Sequence, residues 1–291
     1  MRMKLIAGLC VALALPGFVG SSAHAAEEAA AGGSKKPLWE FGMGIAAVGF
    51  ADYRGADTSR ALPVPLPYFV YRGRFLRADR NGLRGRLFDQ DTVELNISVS
   101  ATTPVRSKNN SARYAMPDLK PTIELGPALD VHLWRAAERR IRLDLRLPVR
   151  NAFTIESHPR SIGWFAAPNL NLDIDDVAGT PGLSLGLLAG PLFGGRRYNE
   201  YFYSVAPEFA TATRPAYAAR GGYAGTQMLA SLSKRFPRYW VGAFVRRDTL
   251  TGAVFANSPL VHSNGYWAAG IGIAWMIGQS TRMIEAGGDE P

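Results

Sequence analysis

The stretch from Trp267 to Gly278 limits the possible folds more than any other. Its odd positions hold Trp267, Ala269, Ile271, Ile273, Trp275 and Ile277; its even positions hold Ala268, Gly270, Gly272, Ala274, Met276 and Gly278. Alternation of period two marks a β-strand, whose successive side chains point to opposite faces. A half-exposed soluble strand places polar residues on its second face, and this one has none. Bulky apolar residues on one side and small ones on the other suit a barrel wall that meets lipid. Trp267 and Trp275 bracket the run, about 26 Å apart along the strand at about 3.3 Å per residue. That is close to the apolar band between the two aromatic girdles of an outer-membrane barrel. An ordinary buried strand gives the same segment, so the rest of the chain has to decide.

The chain opens with Arg2 and Lys4, an apolar run from Leu5 to Leu15, the breaker Pro16-Gly17, and Ala23-His24-Ala25 as a small-x-small cleavage site. This reads as a secretory signal peptide over 1–25; the run is too short to span a membrane as a helix. The one cysteine, Cys10, lies inside it, so the exported chain has no disulfide framework and no thiol chemistry. Removing Arg2 and Lys4 takes the net charge from +9 to +7. Export argues against nucleic acid as the reason for a basic balance and favours anionic lipopolysaccharide, peptidoglycan or acidic proteins. Residues 26–37 read as a flexible lead-in, 38–278 as one barrel, and 279–291 as a polar tail.

Twelve candidate strands follow, at 38–51, 63–71, 74–88, 92–102, 120–134, 140–151, 162–174, 182–193, 200–210, 222–235, 238–249 and 264–277, with Gly, Pro, Asn and Asp between them. Two of them separate a soluble sandwich from a membrane barrel. Val93, Leu95, Ile97, Val99 and Ala101 alternate with Thr92, Glu94, Asn96, Ser98 and Ser100. Ile141, Leu143, Leu145, Leu147 and Val149 alternate with Arg142, Asp144, Arg146, Pro148 and Arg150. One such strand fits either fold. The number of aliphatic faces needing cover, with aromatics near strand ends (Trp39, Phe50, Tyr68, Trp134, Trp164, Tyr201, Tyr203, Tyr239, Trp240), favours an all-β, up-and-down antiparallel transmembrane barrel of about twelve strands.

Several stretches resemble the MipA/OmpV family of outer-membrane proteins. They are Pro63-Val64-Pro65-Leu66-Pro67 with Tyr71 and Gly73; Asn199, Tyr201, Tyr203 and Val205 of an Asn-x-Tyr-x-Tyr-x-Val signature; Arg214, Pro215 and Tyr217; Gly221, Gly222 and Gly225; and Ser258-Pro259. The likeness runs from about Phe41 to Ile277. It implies a non-enzymatic scaffold in the Gram-negative outer membrane that binds a periplasmic murein transglycosylase and a peptidoglycan synthase, with links in some members to adhesion, permeability and antibiotic response. Barrels of this kind commonly end on an aromatic residue, whereas here a polar segment follows Trp275 and Ile277.

No catalytic, cofactor or metal motif emerges. A Ser/His pair on a barrel wall would need hydrogen-bond contact between nucleophile and base. Ser98 and Ser100 fall several residues from His132, His158 precedes Pro159, and His262 and Ser263 as strand neighbours face opposite ways. Asp173, Asp175 and Asp176 lack the rest of a calcium loop and read as a solvated rim. Arg106, Lys108, Arg113 and Lys120 form a basic loop, read as solvated or facing an acidic partner.

The polar faces instead predict a charge network filling the lumen, made of Glu94, Glu124, Asp130, His132, Arg142, Asp144, Arg146, Arg150 and Glu208. Glu124 is placed opposite Arg150, and Asp130 opposite Asp144 or beside Arg142 and Arg146. A filled lumen suits a scaffold; an open one would make the protein a small-solute pore. With residue 38 starting in the periplasm, strand parity puts 52–62, 175–181, 211–221 and 250–263 outside the cell and 103–119 in the periplasm.

Overall fold

The computed structural model describes residues 35–72, 76–79, 82–85, 88–89, 92–136 and 140–285. The signal peptide, most of the lead-in, Gly73 and the last six residues lie outside the described residues. The strands are β1 (Lys35–Pro37), β2 (Trp39–Ala51), β3 (Ser59–Arg72), β4 (Leu76–Asp79), β5 (Gly82–Gly85), β6 (Phe88–Asp89), β7 (Val93–Thr102), β8 (Thr122–Ala136), β9 (Ile141–Thr154), β10 (Ser161–Ala166), β11 (Asn169–Asp175), β12 (Leu183–Gly194), β13 (Gly222–Arg235), β14 (Tyr239–Thr249), β15 (Gly265–Gln279) and β16 (Met283–Glu285). Among the described residues, eleven of them have six residues or more, and one α-helix, α1 (Arg196–Tyr203), interrupts the series.

All pairings are antiparallel, in the order β5-β4-β3-β2-β15-β14-β13-β12-β10-β9-β8-β7-β6. β10 and β11 are two halves of one wall strand, each pairing with β9 and β12. The sheet ends meet where β5 lies beside β7. At the other end of that seam, Arg60 of β3 donates to Thr103 Oγ1 at 3.0 Å and to the Pro104 carbonyl at 2.8 Å, just beyond β7. The three prolines of β3 suit this seam. Pro63, Pro65 and Pro67 stand opposite Ala47, Ile45 and Met43 of β2. An antiparallel ladder directs alternate residues' N–H groups to opposite neighbours, and proline has none to give β2. The three positions therefore face the edge that, among the described residues, pairs only at Tyr71 and Arg72. Removing donors along an exposed edge blocks strand addition there.

The alternation resolves as an outside and an inside. Trp267, Ile271 and Trp275 are about half exposed, whereas Ala268 and Ala274 are buried. Ile45, Ile97, Leu125, Val149, Leu170 and Leu232 also face outward. Exposed tryptophans mark both rims, Trp164 and Trp267 at one, Trp39, Trp134 and Trp275 at the other. Tyr68, Trp240 and Tyr203, grouped by sequence with the rim aromatics, are buried instead.

Following the antiparallel order, one end of the barrel gathers 52–58, 103–121, 155–160, 195–221 and 250–264. The other holds 176–182, 236–238 and the β1–β16 pair, which joins Lys35 to Glu285 across the flanks that sequence reads as lead-in and tail. This corrects the expected topology twice. The segment 103–119 lies at the same end as 52–58, and 175–181 lies at the opposite one. Two counting errors explain it. The predicted strand 74–88 is a hairpin, with Asp79 opposite Gly82, so the chain reverses inside it; the Asn81-Gly82 dipeptide is a turn signal that hydrophobic alternation hid. The predicted strand 200–210 is not a wall strand, since α1 covers its start and a short 3-10 turn, Pro207–Phe209, its end. The second error restores the parity that the first upset.

Because Ile271 and Leu145 stand on the outer face, Ile271→Arg or Leu145→Arg should cost about 2–4 kcal/mol if the site lies near the bilayer midplane. Urea unfolding in vesicles reads this directly, and two arginine variants as stable as the parent would refute the outward assignment.

Candidate functional site: an interlocked loop cap on a charged interior

Of the residues that carry the family resemblance, those of Asn199–Val205, Arg214–Tyr217, Gly221–Gly225 and Ser258–Pro259 gather at the loop end, whereas Pro63, Pro65, Pro67 and Tyr71 run along β3. In Asn199–Val205 two apolar patterns compete. Tyr201, Tyr203 and Val205 alternate as a strand would, but Tyr198, Asn199, Phe202 and Tyr203 share one helical face, and that face is the buried one. Gly195 caps α1, and Arg196 and Glu200 pair across its exposed face at 2.7 Å. Gly194 allows the docking, since a Cβ there would lie 2.2 Å from Asn199 Oδ1. Asn199 Nδ2 in turn donates to the Arg220 carbonyl at 2.7 Å. Gly225, at φ +110°, forms the bulge where β13 enters the wall, and a Cβ there would meet Thr249 O at 2.3 Å.

Around α1 the long loops lock together. Tyr203 stacks on Phe255 with ring centres 3.6 Å apart and planes at 8°. Its hydroxyl donates to the Arg54 carbonyl at 3.0 Å, its carbonyl accepts from Ser258 Oγ at 2.6 Å, and Tyr53 meets it edge-on while donating to Leu260 O at 2.8 Å. Burial pushes the phenols of Tyr53 and Tyr203 above their ordinary value, so both stay neutral donors. Val205 bridges to Tyr217. Arg214 spans to the Phe209, Ala112 and Tyr114 carbonyls. Tyr201 Oη accepts from the Lys120 amide at 2.8 Å. Arg113, assigned by sequence to a solvated basic loop, is buried and donates to the Phe202 carbonyl at 3.0 Å. His262 Nδ1–H donates to Asp57 Oδ2 at 3.0 Å; that bond is the main cause of an Asp57 carboxyl held below its usual range.

Beneath the cap lies the interior. Tyr198 reaches down from α1 to donate to Glu124 Oε1 at 2.9 Å and stacks on Phe165. Arg150 Nε meets Glu124 Oε2 at 3.0 Å, and Arg150 Nη1 donates to Ser98 Oγ at 3.1 Å. One layer down, Asp130 stands directly opposite Arg146, with Nε at 3.8 Å, and accepts from Asn96 Nδ2 at 3.1 Å. Lower still, His132 Nδ1 lies 2.7 Å from Asp144 Oδ1. Arg142 pairs with Asp175 at 2.9 Å, a partner the sequence reading did not name. Glu94 is buried on the same inner side, opposite Asp130. Glu208 belongs elsewhere: it is exposed on the 3-10 turn of the cap.

Asp173, Asp175 and Asp176 are not a solvated rim. All three are buried, Ser184 Oγ donates to Asp175 and the Gly182 amide to Asp176. Sequence reasoning also missed two inward clusters. Glu40 takes Arg235 at 2.9 Å, with Tyr68 hydrogen bonded to both, and Asp248 takes both arms of Arg246 at 2.8 and 2.7 Å. Parity held the clue, because Glu40 shares its face with Ala46 and Val48, and Arg246 and Asp248 share theirs with Phe244.

An antiparallel sheet whose ends come together, with an aliphatic outside, aromatic rims and a polar, ion-paired inside, is a transmembrane β-barrel of the outer-membrane type. The chain belongs to the family described as MltA-interacting protein MipA, whose model matches residues 43–277. It is 27% identical over 214 residues to the outer membrane protein Omp26La of Vibrio anguillarum, spanning 71% of this chain and 76% of that one. It is 25% identical over 213 residues to the outer membrane protein OmpV of Vibrio cholerae, with the same shares of 71% and 76%. A solved structure named as a bacterial polysaccharide outer membrane secretin aligns over 83% of this chain and 99% of that chain, with TM-score 0.41 and 10% identity. The protein resides in the outer membrane.

Two substitutions probe the two layers separately. Arg150→Ala strands the Glu124 carboxylate and should cost about 3–5 kcal/mol, with Arg150→Met/Glu124→Gln less damaging because no charge is left uncompensated. Thermal unfolding in detergent measures both; equal losses would show that the pair is not electrostatically coupled. Phe255→Ala should cost about 3–5 kcal/mol of cap stability. Because Phe255 lies outside the wall, the loss should appear as faster proteolysis within 195–221 and 250–264 while the heat-modifiable barrel band persists on gels.

Proposed function

We propose that this protein is a closed, non-catalytic outer-membrane barrel that serves as a docking scaffold for periplasmic peptidoglycan-remodelling enzymes. The observation that carries the reading is the occlusion of its interior. Glu40, Asn96, Glu124, Asp130, Asp175 and Asp248 face inward and are each nearly inaccessible. The wall of a water-filled pore would leave such groups open to solvent. With the lumen filled and the loop end interlocked, the working parts are surfaces.

Two features support a periplasmic partner. The family description names interaction with MltA, and the sequence resemblance implies a murein transglycosylase and a synthase. Outer-membrane barrels keep short turns in the periplasm and long loops outside, which puts 176–182, 236–238 and the β1–β16 pair on the periplasmic side. That end is basic: Arg135, Arg140, Arg238 and Arg282 are all exposed there. Such a rim suits an acidic protein surface or the carboxylates of peptidoglycan. The histidines support a non-catalytic reading, since His132 and His262 each face an aspartate and, among the described residues, neither meets a serine hydroxyl.

Orientation and docking can be tested in the same cells. Cysteine at Tyr114 should react with an impermeant reagent in intact cells, and cysteine at Arg238 only after the outer membrane is opened. Crosslinking should then capture a murein transglycosylase or synthase. The triple variant Arg135→Glu/Arg238→Glu/Arg282→Glu should lose that capture while still assembling. Failure of the parent to capture either enzyme, or a steady large conductance in planar bilayers, would remove the scaffold reading and favour a solute pore.

A further inference from the structure

The outer face of the barrel is uneven. An apolar groove of about 400 Å³ crosses it from β9 to β15. Two neighbouring rows of the ladder build it. In the upper row Leu170, Ala189, Met228, Arg247 and Trp267 stand opposite one another in turn. In the lower row the succession is Leu172, Leu187, Ala230, Val245 and Ala269. Leu170, Leu187, Met228 and Val245 project as walls. Ala189 and Ala230, with single methyl groups, leave the depression between them.

One end of the groove is charged. Arg247 is exposed on this outward face, and its guanidinium sits 4.7 Å from the Trp267 ring centre. Among the described residues it has no acidic partner. A cation on a lipid-facing wall is costly unless it reaches the interface or finds an anion. Arg247 lies at the level of the loop-end girdle, because its ladder partner is Trp267, whereas Trp275 and its partner Tyr239 mark the opposite girdle. The loop end faces outward in barrels of this type, so Arg247 stands where the headgroups of the outer leaflet begin.

We propose that this groove is a binding site for the phosphorylated, multiply acylated glycolipid of the outer leaflet, with one acyl chain lying along Ala189 and Ala230 and a phosphate on Arg247. The chemistry is complementary at both ends. A flexible chain fills a dry apolar furrow, and the phosphate gives the arginine the charge-assisted partner that the protein does not supply. Stacking on Trp267 fixes the guanidinium and limits the ordering entropy that binding must overcome. The site is independent of the periplasmic scaffold reading, since it lies in the outer half of the wall and needs no protein partner.

Native mass spectrometry of the purified, folded protein tests this with added lipid A as the probe and phosphatidylglycerol as the competing anionic lipid. The parent should retain one lipid A molecule in the presence of excess phosphatidylglycerol. Arg247→Gln removes the phosphate contact, and Ala230→Phe fills the groove from the lipid side without touching the interior. Arg247→Gln should lower retention about tenfold, the equivalent of one lost charge-assisted contact, and Ala230→Phe should lower it to a similar extent by displacing the acyl chain. Heat-modifiable mobility on gels verifies that both variants are folded. The proposal is overturned if the parent retains no lipid A, if phosphatidylglycerol displaces it at parity, or if either folded variant retains the parental amount.

Discussion

The structure depends on neutralising the charges buried on the inner face of the barrel. Five inward carboxylates meet arginines from other positions of the wall, and a sixth meets a histidine: Glu124 with Arg150, Asp130 with Arg146, Asp175 with Arg142, Glu40 with Arg235, Asp248 with Arg246, and Asp144 with His132. Five of the six join different strands, β8 with β9, β9 with β11, or β2 with β13, so they report on register as well as charge. A one-residue slip of β9 against β8 would turn Arg142, Arg146 and Arg150 outward and Leu143, Leu145 and Leu147 inward. Lipid makes that slip far more costly than water would. The ion pairs therefore pin the ladder, and the ladder sets where the loops emerge.

The interior is not uniform around its circumference. Behind the middle of β2, β3, β14 and β15 it is apolar, with Ala46, Val48, Val64, Leu66, Trp240, Phe244 and Ala274 packed together between the Glu40–Arg235 and Asp248–Arg246 pairs. Behind β7 to β12 it is charged. The cap joins both, since its own core of Tyr53, Leu192, Phe202, Tyr203, Leu250 and Phe255 is the larger apolar cluster. Tyr198 links that cluster to the charged side by donating to Glu124. Disturbing either layer is felt through this one tyrosine, which ties the loop end to the wall.

Much of the wall was legible because period two survives any amount of local noise: β2, β7, β9, β13, β14 and β15 stand within a few residues of where alternation puts them. What was not legible has physical reasons. Asn199–Val205 satisfies both a strand and a helix pattern, and only the buried face of Tyr198 and Phe202 decides between them. The reversal inside 74–88 was masked because apolar residues flank it on both sides. Asp173 and Asp175 looked solvated for want of any sign that Arg142 and Ser184 would lie across the sheet. Glu208 was placed inside only because a strand was assumed there. The cap has no local signature at all. Tyr53 and Leu260, 207 residues apart, share a hydrogen bond that no spacing rule would anticipate.

Each wall strand must still distinguish lipid from interior, and two strands show two ways of doing so. β9 uses polarity, with arginines and an aspartate on one face and aliphatics on the other, and a reversed strand would expose ions to hydrocarbon. β15 has almost no polarity to use. It relies on size, placing Ala268, Gly272 and Ala274 inward, where Trp240 and Phe244 of the neighbouring β14 leave little room. Inverting β15 would drive Trp267, Ile271 and Trp275 into that packed space, and overpacking is destabilising even when every atom is apolar. Buried ion pairs add little net stability over a well-packed aliphatic core. Their place in this barrel is on strands where side-chain size alone would leave the choice of face undecided, whereas β15, sorted by size, carries no charged residue.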